Sequence, residues 1–137
     1  MNKENIGDLF QSQFSTAPLL RETDYKSRIK KIQSVVDWIY DNRGNIKSAL
    51  DKDLSKPGFE TDIAEIWVSI DLAKNVINNL KEWMEPRRVS STLPVLFSKS
   101  YIKYYPKGVC LIISPWNYPF QLCVAPLIYS IAAGNST

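Results

Sequence analysis

The fold of this chain is decided by VCLIISPWNYPFQLCVAPLIYSIAAGN, the stretch from Val109 to Asn135. Residues 109–113 are apolar and rich in β-branched side chains, which predicts a strand buried on both faces, as in parallel sheets. Residues 120–133 carry no charge and precede Gly134, which predicts a buried helix with a glycine C-cap. The stretch therefore predicts a strand, a turn and a helix of an α/β layer.

Two prolines stiffen the turn between the predicted strand and helix. Pro115 and Pro119 each bias the residue before them towards an extended conformation, and proline also suits the first turn of a helix. Trp116 and Asn117 are thereby held in a stiff loop at the carboxyl end of the strand. Ligands of open α/β sheets bind at that end, so this loop is the candidate site.

Helices are predicted over most of the chain before this stretch. Apolar residues recur at helical spacing in four segments separated by turn and capping residues. The predicted helices start at Ile6 and end before Pro18, run from Thr23 or Asp24 to Asn42, cover 45–54, and run from Thr61 or Asp62 to Met84.

The region between the helices and the decisive stretch predicts a strand pair. Tyr101 to Tyr105 has strand composition, and Pro106-Lys107-Gly108 predicts a tight turn leading into strand 109–113. The predicted fold class is α/β, with N-terminal helices (1–99), a β-hairpin or oligomerisation-type strand (100–107) and the first strand–helix unit of an α/β domain (108–137). Because the return strand of that unit is missing, we expect the chain to be the N-terminal piece of a larger protein.

Composition excludes several classes of function. The net charge of +3 comes from interspersed basic and acidic residues without a basic stripe, so we expect no nucleic-acid partner. The chain has no histidine, which removes Ser-His and Cys-His catalysis and most zinc sites. Cys110 and Cys123 lack paired metal-ligand spacing and are expected to be free thiols in the core, so no metal is predicted.

Met1 to Phe14 has charges and no signal-peptide pattern, so a cytoplasmic location is expected.

The chain resembles the N-terminal part of an aldehyde dehydrogenase. The resemblance is carried, in order along the chain, by Pro106 to Val109, Leu111 to Phe120, Pro126 to Ile128 and Ile131 to Asn135. The preceding helices resemble the class 3-like branch of the family through Ala49 to Pro57, Glu65-Ile66 and Leu80 to Pro86. The resemblance covers nearly the whole chain from Tyr25 onward.

This resemblance implies a full-length enzyme that oxidises aldehydes to carboxylic acids with NAD or NADP. Residues 108–137 would begin its Rossmann-like cofactor-binding domain, and a class 3-like member would be a homodimer. The family's nucleophilic cysteine, general-base glutamate and dinucleotide glycine motif would all lie after Thr137, so the fragment alone is expected to be inactive. Cys110 and Cys123 do not match the nucleophile's motif.

The resemblance also implies roles for six residues of the loop region. Asn117 matches the family's asparagine whose side-chain amide donates a hydrogen bond to the oxyanion of the tetrahedral intermediate. A neutral donor in a stiff turn suits that role, since it needs little reorganisation as charge develops. By the same resemblance, the nicotinamide side of the cofactor would be lined by Ile113, Ser114, Pro115 and Trp116. Tyr118 would lie near the aldehyde channel.

Two other classes of function compete with the enzyme. Residues 108–137 carry no charge and follow three lysines, which is typical of a membrane-attached segment, although Pro115, Pro119 and Pro126 interrupt it. Alternatively, the helices form an inactive interaction module built from an aldehyde dehydrogenase N-terminus. A continuation of the reading frame into a glycine-rich motif, a glutamate and a cysteine would favour the enzyme.

Overall fold

Helices form most of the computed structural model, which describes residues 5–91, 93–95 and 97–137. The α-helices are α1 (Ile6–Arg21), α2 (Tyr25–Asp41), α3 (Arg43–Leu54), α4 (Gly58–Thr61), α5 (Val68–Met84) and α6 (Gln121–Ala133). A π-helical turn, Asp62–Trp67, joins α4 to α5. The strands are β1 (Arg87–Val89) and β2 (Ser100–Ile102), with a 3₁₀ turn at Leu93–Val95 between them. Residues 1–4, 92 and 96, which belong to the predicted helical region, lie outside this description.

The core lies where α2, α5 and α6 pack together. The predicted cap and apolar stripe of α2 are confirmed, because Asp24 accepts a hydrogen bond from the Ser27 amide at 2.8 Å and the stripe is buried. Each helix contributes small or branched side chains: Ile32, Val36 and Ile39 from α2, Ile70, Ala73, Val76 and Leu80 from α5, and Val124, Ile128 and Ala132 from α6.

Two predicted helix boundaries are wrong. Pro18 lies inside α1, which continues to Arg21. Proline here removes one backbone hydrogen bond, and the carbonyl it would have used belongs to exposed Phe14, where water can replace the bond. The long helix begins at Gly58 rather than after Thr61 or Asp62, since Pro57 supplies the extended residue before it. Thr61 is instead fully buried.

A hairpin is present, but its strands differ from those predicted. β1 pairs with β2 in antiparallel register, with Arg88 opposite Tyr101. The prediction of a strand at 101–105 paired with 109–113 is therefore wrong. Two residues of the predicted strand occur in β2, and its partner, β1, lies in the region 1–99 that was predicted to be helical.

The segment 109–113 makes one parallel contact within the described chain. Val109 forms a single parallel bridge with Ser136, in which the Cys110 amide donates to the Ser136 carbonyl at 2.8 Å. Because α6 connects the two bridge residues, this is the first rung of a β-α-β unit and agrees with the predicted α/β class. The prediction that segment 109–113 is buried on both faces is wrong, since Leu111 and Ile113 are 85% and 84% exposed and no layer of described residues covers them.

The predicted helix after the loop is confirmed, with two differences. Gly134 adopts the left-handed conformation at the C-cap, with φ of 86°. Cys123 lies on the exposed side of α6 and Cys110 is half-buried, so the prediction that both thiols lie in the core is wrong. The reason is that α2 and α5 cover only the side of α6 that carries Val124 and Ile128.

Charged side chains from other helices bind both ends of α6. At its C-terminal end, Arg28 of α2 donates to the Ala132 carbonyl at 2.9 Å and to the Arg21 carbonyl of α1 at 3.2 Å. Its Nε donates to Thr23 Oγ1 at 3.1 Å. Arg28 is buried, which lowers the pKa of its guanidinium, and a cation is favoured at a helix C-terminus.

Among the described helices, none is long and apolar enough to cross a membrane.

Candidate active-site loop at the N-terminus of α6

Residues 114–119 connect the extended segment 109–113 to α6 and form the candidate site. No side chain of the loop caps the helix, since the residue before it, Phe120, has helical backbone angles and makes no capping bond. The first free N–H groups of a helix need acceptors when they are removed from water. The loop therefore depends on another part of the chain to complete the start of α6.

That acceptor is the carboxylate of Glu65. Its Oε2 accepts from the Phe120 amide at 2.9 Å and from the Gln121 amide at 3.0 Å. The Glu65 side chain is 0% exposed, and a negative charge is favoured at a helix N-terminus. Because Glu65 occupies these two amides, they are not free to bind an anion at this end of α6.

The π-helical turn places Glu65 on the buried side of the long helix. Ile63 and Trp67, two large apolar residues of the turn, are 44% and 65% exposed, whereas Glu65 is fully buried. A π turn inserts one residue and shifts the side chains that follow, so the helix faces differ from those of a regular α-helix. Ser69, also buried, donates to the Glu65 carbonyl at 2.6 Å.

Lys56 neutralises the buried carboxylate and contacts the loop. Its Nζ lies 2.5 Å from Glu65 Oε1 and donates to the Asn117 carbonyl at 3.1 Å. The same ammonium lies 4.2 Å from the centre of the Tyr118 ring, within cation–π range. Lys56 is itself buried, and a buried charge is tolerated when it is paired and hydrogen-bonded. Ser55, in the left-handed conformation with φ of 51°, ends α3 directly before it.

A second charge cluster anchors the π turn to α3. Asp62 accepts from Arg43 at 2.7 and 2.8 Å and from Lys47 Nζ at 2.7 Å. These hydrogen bonds, first that from Arg43 and then that from Lys47, hold the pKa of the Asp62 carboxyl well below its usual range. Asp62 and Glu65 thus connect the same turn to α3 and to the loop before α6.

The six residues predicted for the site lie together in sequence but differ in exposure. Asn117 is exposed, and its side-chain amide makes no hydrogen bond to any residue in 5–91, 93–95 or 97–137. Asn117 and Tyr118 are brought together by their shared contact with Lys56. Ile113 and Trp116 are 84% and 83% exposed. Of the other two, Ser114 is half-buried and Pro115 is exposed.

The chemistry of the loop follows from these exposures. Asn117 presents two neutral N–H donors, which can stabilise an oxygen that becomes negative without adding a formal charge. Residues 113–116 present uncharged, mainly apolar surface that suits contact with a flat ring and holds no cation for a phosphate. In the described part of the chain, no three His, Cys, Asp or Glu side chains cluster in a way that could hold a metal.

Sequence reasoning missed Lys56 and Glu65. A signal was present, because Thr61, Glu65 and Ser69 recur at steps of four and form a polar line beside the apolar stripe of the long helix. All three are fully buried.

A cleft of about 530 Å³ lies at the other end of α6, lined partly by Arg28, Tyr104 and Ala132, and does not involve the loop.

Comparison with known proteins gives a consistent set of matches. The model of a family described as "Aldehyde dehydrogenase family" matches residues 1–137. AldX of Bacillus subtilis (strain 168) is 40% identical over 134 residues, which make up 98% of this chain and 30% of AldX. Mouse aldehyde dehydrogenase family 3 member B3 is 41% identical over 110 residues, covering 80% of this chain and 23% of the mouse protein.

A solved structure agrees with these matches. AldH of Staphylococcus aureus, in a substrate-bound state, is similar with a TM-score of 0.90 at 35% identity. The match covers 98% of this chain and 29% of AldH. The chain therefore spans less than a third of the length of each of these relatives.

Proposed function

Since the chain belongs to the aldehyde dehydrogenase family, we propose that it forms part of an NAD(P)-dependent enzyme that oxidises aldehydes to carboxylic acids. Within that enzyme, the Asn117 side-chain amide donates a hydrogen bond to the substrate oxygen as it becomes negative. The observation that carries this role is that the main chain and the side chain of Asn117 are engaged differently. Its carbonyl is held by Lys56 at 3.1 Å, while its amide is exposed and has no partner among the described residues.

The held main chain is what makes such a donor effective. A donor that is already oriented loses little free energy to reorganisation when charge develops, and one oxyanion donor typically contributes about 100-fold to 1000-fold in turnover. The Phe120 and Gln121 amides are already bound to Glu65. Asn117 is thus a neutral donor that remains available in the described loop.

The cofactor and substrate sides of the loop complete the proposal. Ile113, Ser114, Pro115 and Trp116 contact the nicotinamide side of NAD or NADP, which when bound accepts the hydride from the substrate. Their uncharged, exposed surface is compatible with that contact. Tyr118 lies beside the aldehyde, with its ring held by Lys56. Neither Cys110 nor Cys123 is assigned as the nucleophile, because neither matches that motif.

A cytoplasmic homodimer is part of the proposal. The dimer is supported by the resemblance of Ala49 to Pro57 and Leu80 to Pro86 to class 3-like members and by the match to a family 3 protein. The compartment is supported by the sequence character of residues 1–14. Sedimentation velocity and cell fractionation of the enzyme test these two points.

The test of Asn117 uses Staphylococcus aureus AldH with its matching segment replaced by residues 1–137. In this fusion, Asn117→Ala is expected to lower kcat by about 100-fold to 1000-fold, with cofactor Kd and Tm unchanged, because the bond is strongest in the transition state. Asn117→Asp, which replaces the donor with a negative charge, is expected to be at least as damaging. Hydride transfer is followed by absorbance of the reduced cofactor.

Two controls accompany this test. Asn78→Ala changes an exposed asparagine of α5 and is expected to leave kcat unchanged. The 137-residue chain alone, which lacks an assigned nucleophile and base, is expected to reduce no cofactor. Normal turnover in a folded Asn117→Ala fusion would contradict the catalytic role. A joint loss of Tm and cofactor binding would show instead that Asn117 only stabilises the turn.

A further inference from the structure

We propose that Lys56 and Glu65 are positioning residues that orient the Asn117 loop, an inference that rests on the catalytic role proposed for Asn117. The ion pair connects the end of α3, the π turn and the start of α6. Its two side chains make four contacts with residues 117–121 and none of these uses the Asn117 side chain. Three of these contacts are to main-chain atoms and the fourth is to the Tyr118 ring, so the pair holds the loop and leaves the Asn117 amide free to bind.

Glu65 fixes the loop at its junction with α6. One carboxylate oxygen receives two backbone amides at 2.9 and 3.0 Å, and the other receives Lys56 at 2.5 Å. Because the side chain is fully buried, water cannot replace these bonds without opening the structure. A neutral glutamine at position 65 would keep the size but weaken the charge-assisted bonds to both amides.

Lys56 fixes the loop at Asn117 and Tyr118, three and two residues before Phe120. The contact at the Asn117 carbonyl is separate from the contacts of Glu65, so the two side chains hold the loop at two points. Two such points on either side of Pro119 restrict rotation of the segment between them. The direction of the Asn117 side chain then depends on charges that lie 61 and 52 residues earlier in the chain.

The π turn that carries Glu65 is a further indication that the ion pair has a functional role. π turns inside α-helices occur frequently at functional sites, and this one moves a glutamate into the core at the expense of Ile63 and Trp67. A buried ion pair is rarely the most stabilising choice, since apolar residues of similar volume often do as well. Its geometry here is better explained by the placement of the loop than by stability alone.

The primary test measures hydrogen exchange by mass spectrometry in the AldH fusion that carries residues 1–137. In Glu65→Gln and Lys56→Met, amide exchange in peptides covering 114–122 is expected to accelerate by about tenfold or more, with exchange in the centre of α2 unchanged. Lys56→Arg, which keeps the charge, is expected to stay closer to the wild type. Lys56→Met provides the test if Glu65→Gln does not fold.

The matched control is Arg28→Met. Arg28 is also a buried charge bound to α6, but at the opposite end and without contact to the loop. It is expected to lower Tm without selective acceleration in 114–122. Unchanged exchange in 114–122 in the Lys56 and Glu65 variants, or equal acceleration in Arg28→Met, would overturn the positioning role.

A kinetic cycle in the AldH fusion separates this inference from the proposed function. Glu65→Gln is expected to lower kcat by about tenfold or more with a smaller change in KM, and to lower it no further once Asn117 is alanine. An additive loss in the Asn117→Ala background would overturn positioning through Asn117. If Asn117→Ala alone leaves kcat unchanged while loop exchange still accelerates in Glu65→Gln, the proposed function fails and the structural tie remains.

Discussion

Gly134 shows how one residue can decide the geometry at the end of an element. Its φ of 86° lies in the left-handed region, where a side chain is strained. A Cβ at this position would also lie 2.5 Å from Arg28 Nη2 and 2.6 Å from its Cζ. The glycine therefore serves two purposes, since it ends α6 and it leaves room for the guanidinium that binds the Ala132 carbonyl.

Gly134→Ala is expected to destabilise the chain by at least about 1–2 kcal/mol, because backbone strain and the contact with Arg28 act together. Gly44→Ala is the control, since this helical glycine of α3 has nothing within 4 Å of its would-be Cβ. That change is expected to be neutral or to stabilise by up to about 1 kcal/mol. Urea unfolding of both variants measures the difference. Equal stability of the two alanine variants would contradict this account of Gly134.

The π turn between α4 and α5 is the element that organises the site. On one side, Asp62 accepts hydrogen bonds from Arg43 and Lys47 of α3. On the other, Glu65 binds Lys56 and the first amides of α6. The π turn therefore connects α3 to the loop before α6. If its hydrogen bonds to α3 are lost, the turn that holds Glu65 against the loop is less firmly fixed.

The Asp62 anchor predicts a dependence of stability on pH. Because the pKa of Asp62 is lowered in the folded chain, its contribution is present above the ordinary value of 3.8 and is lost as pH falls below it. Asp62→Asn is expected to lower Tm by about 1–4 °C at pH 7, a range typical of partly exposed pairs, and by less as pH falls from 4 towards 2.

Asp53→Asn is the control for the Asp62 experiment. Asp53 is exposed in α3 and forms no ion pair among the residues described, so its replacement removes the same charge without removing an anchor. Thermal melts of both variants between pH 2 and 7 give the comparison. A Tm difference for Asp62→Asn that stays constant across this range would rule out the ion-pair explanation.

At the scale of the whole molecule, apolar surface is concentrated in the segment before α6. Leu111, Ile113 and Trp116 are each more than 80% exposed, close together in sequence. α1 also exposes most of its apolar stripe, including Ile6, Leu9 and Phe14. Large apolar side chains exposed in this way favour association, because burying them removes apolar surface from water.

We therefore expect the 137-residue chain to self-associate and to bind a hydrophobic dye. The double variant Leu111→Ser and Ile113→Ser is expected to reduce both, because it removes two adjacent exposed apolar side chains. Leu93→Ser, at an equally exposed leucine in the 3₁₀ turn, controls for the change in composition. Sedimentation velocity and dye fluorescence measure the effects. A wild-type chain that remains monomeric at high concentration, without dye binding, would contradict the prediction.

The sequence by itself determined the elements whose cause is local. The periodicity of α2, its Asp24 cap, the uncharged helix α6 and its Gly134 cap all follow from neighbouring residues, and the structure confirms them. The family could likewise be identified from ordered motifs, because Leu111 to Phe120 and Ile131 to Asn135 are continuous in sequence. The roles of Asn117 and its neighbours remain predictions.

Only the tertiary structure decided which distant residues meet. The pairing of β1 with β2, the bridge from Val109 to Ser136 and the exposure of Cys123 depend on which surfaces are available after packing. The contacts of Lys56 and Glu65 with the loop are decided in the same way, because a π turn changes the face on which a side chain emerges. The polar line of Thr61, Glu65 and Ser69 marks a buried face, but it does not show which residues 55 to 61 positions away will bind there, since that geometry exists only once the helices have packed.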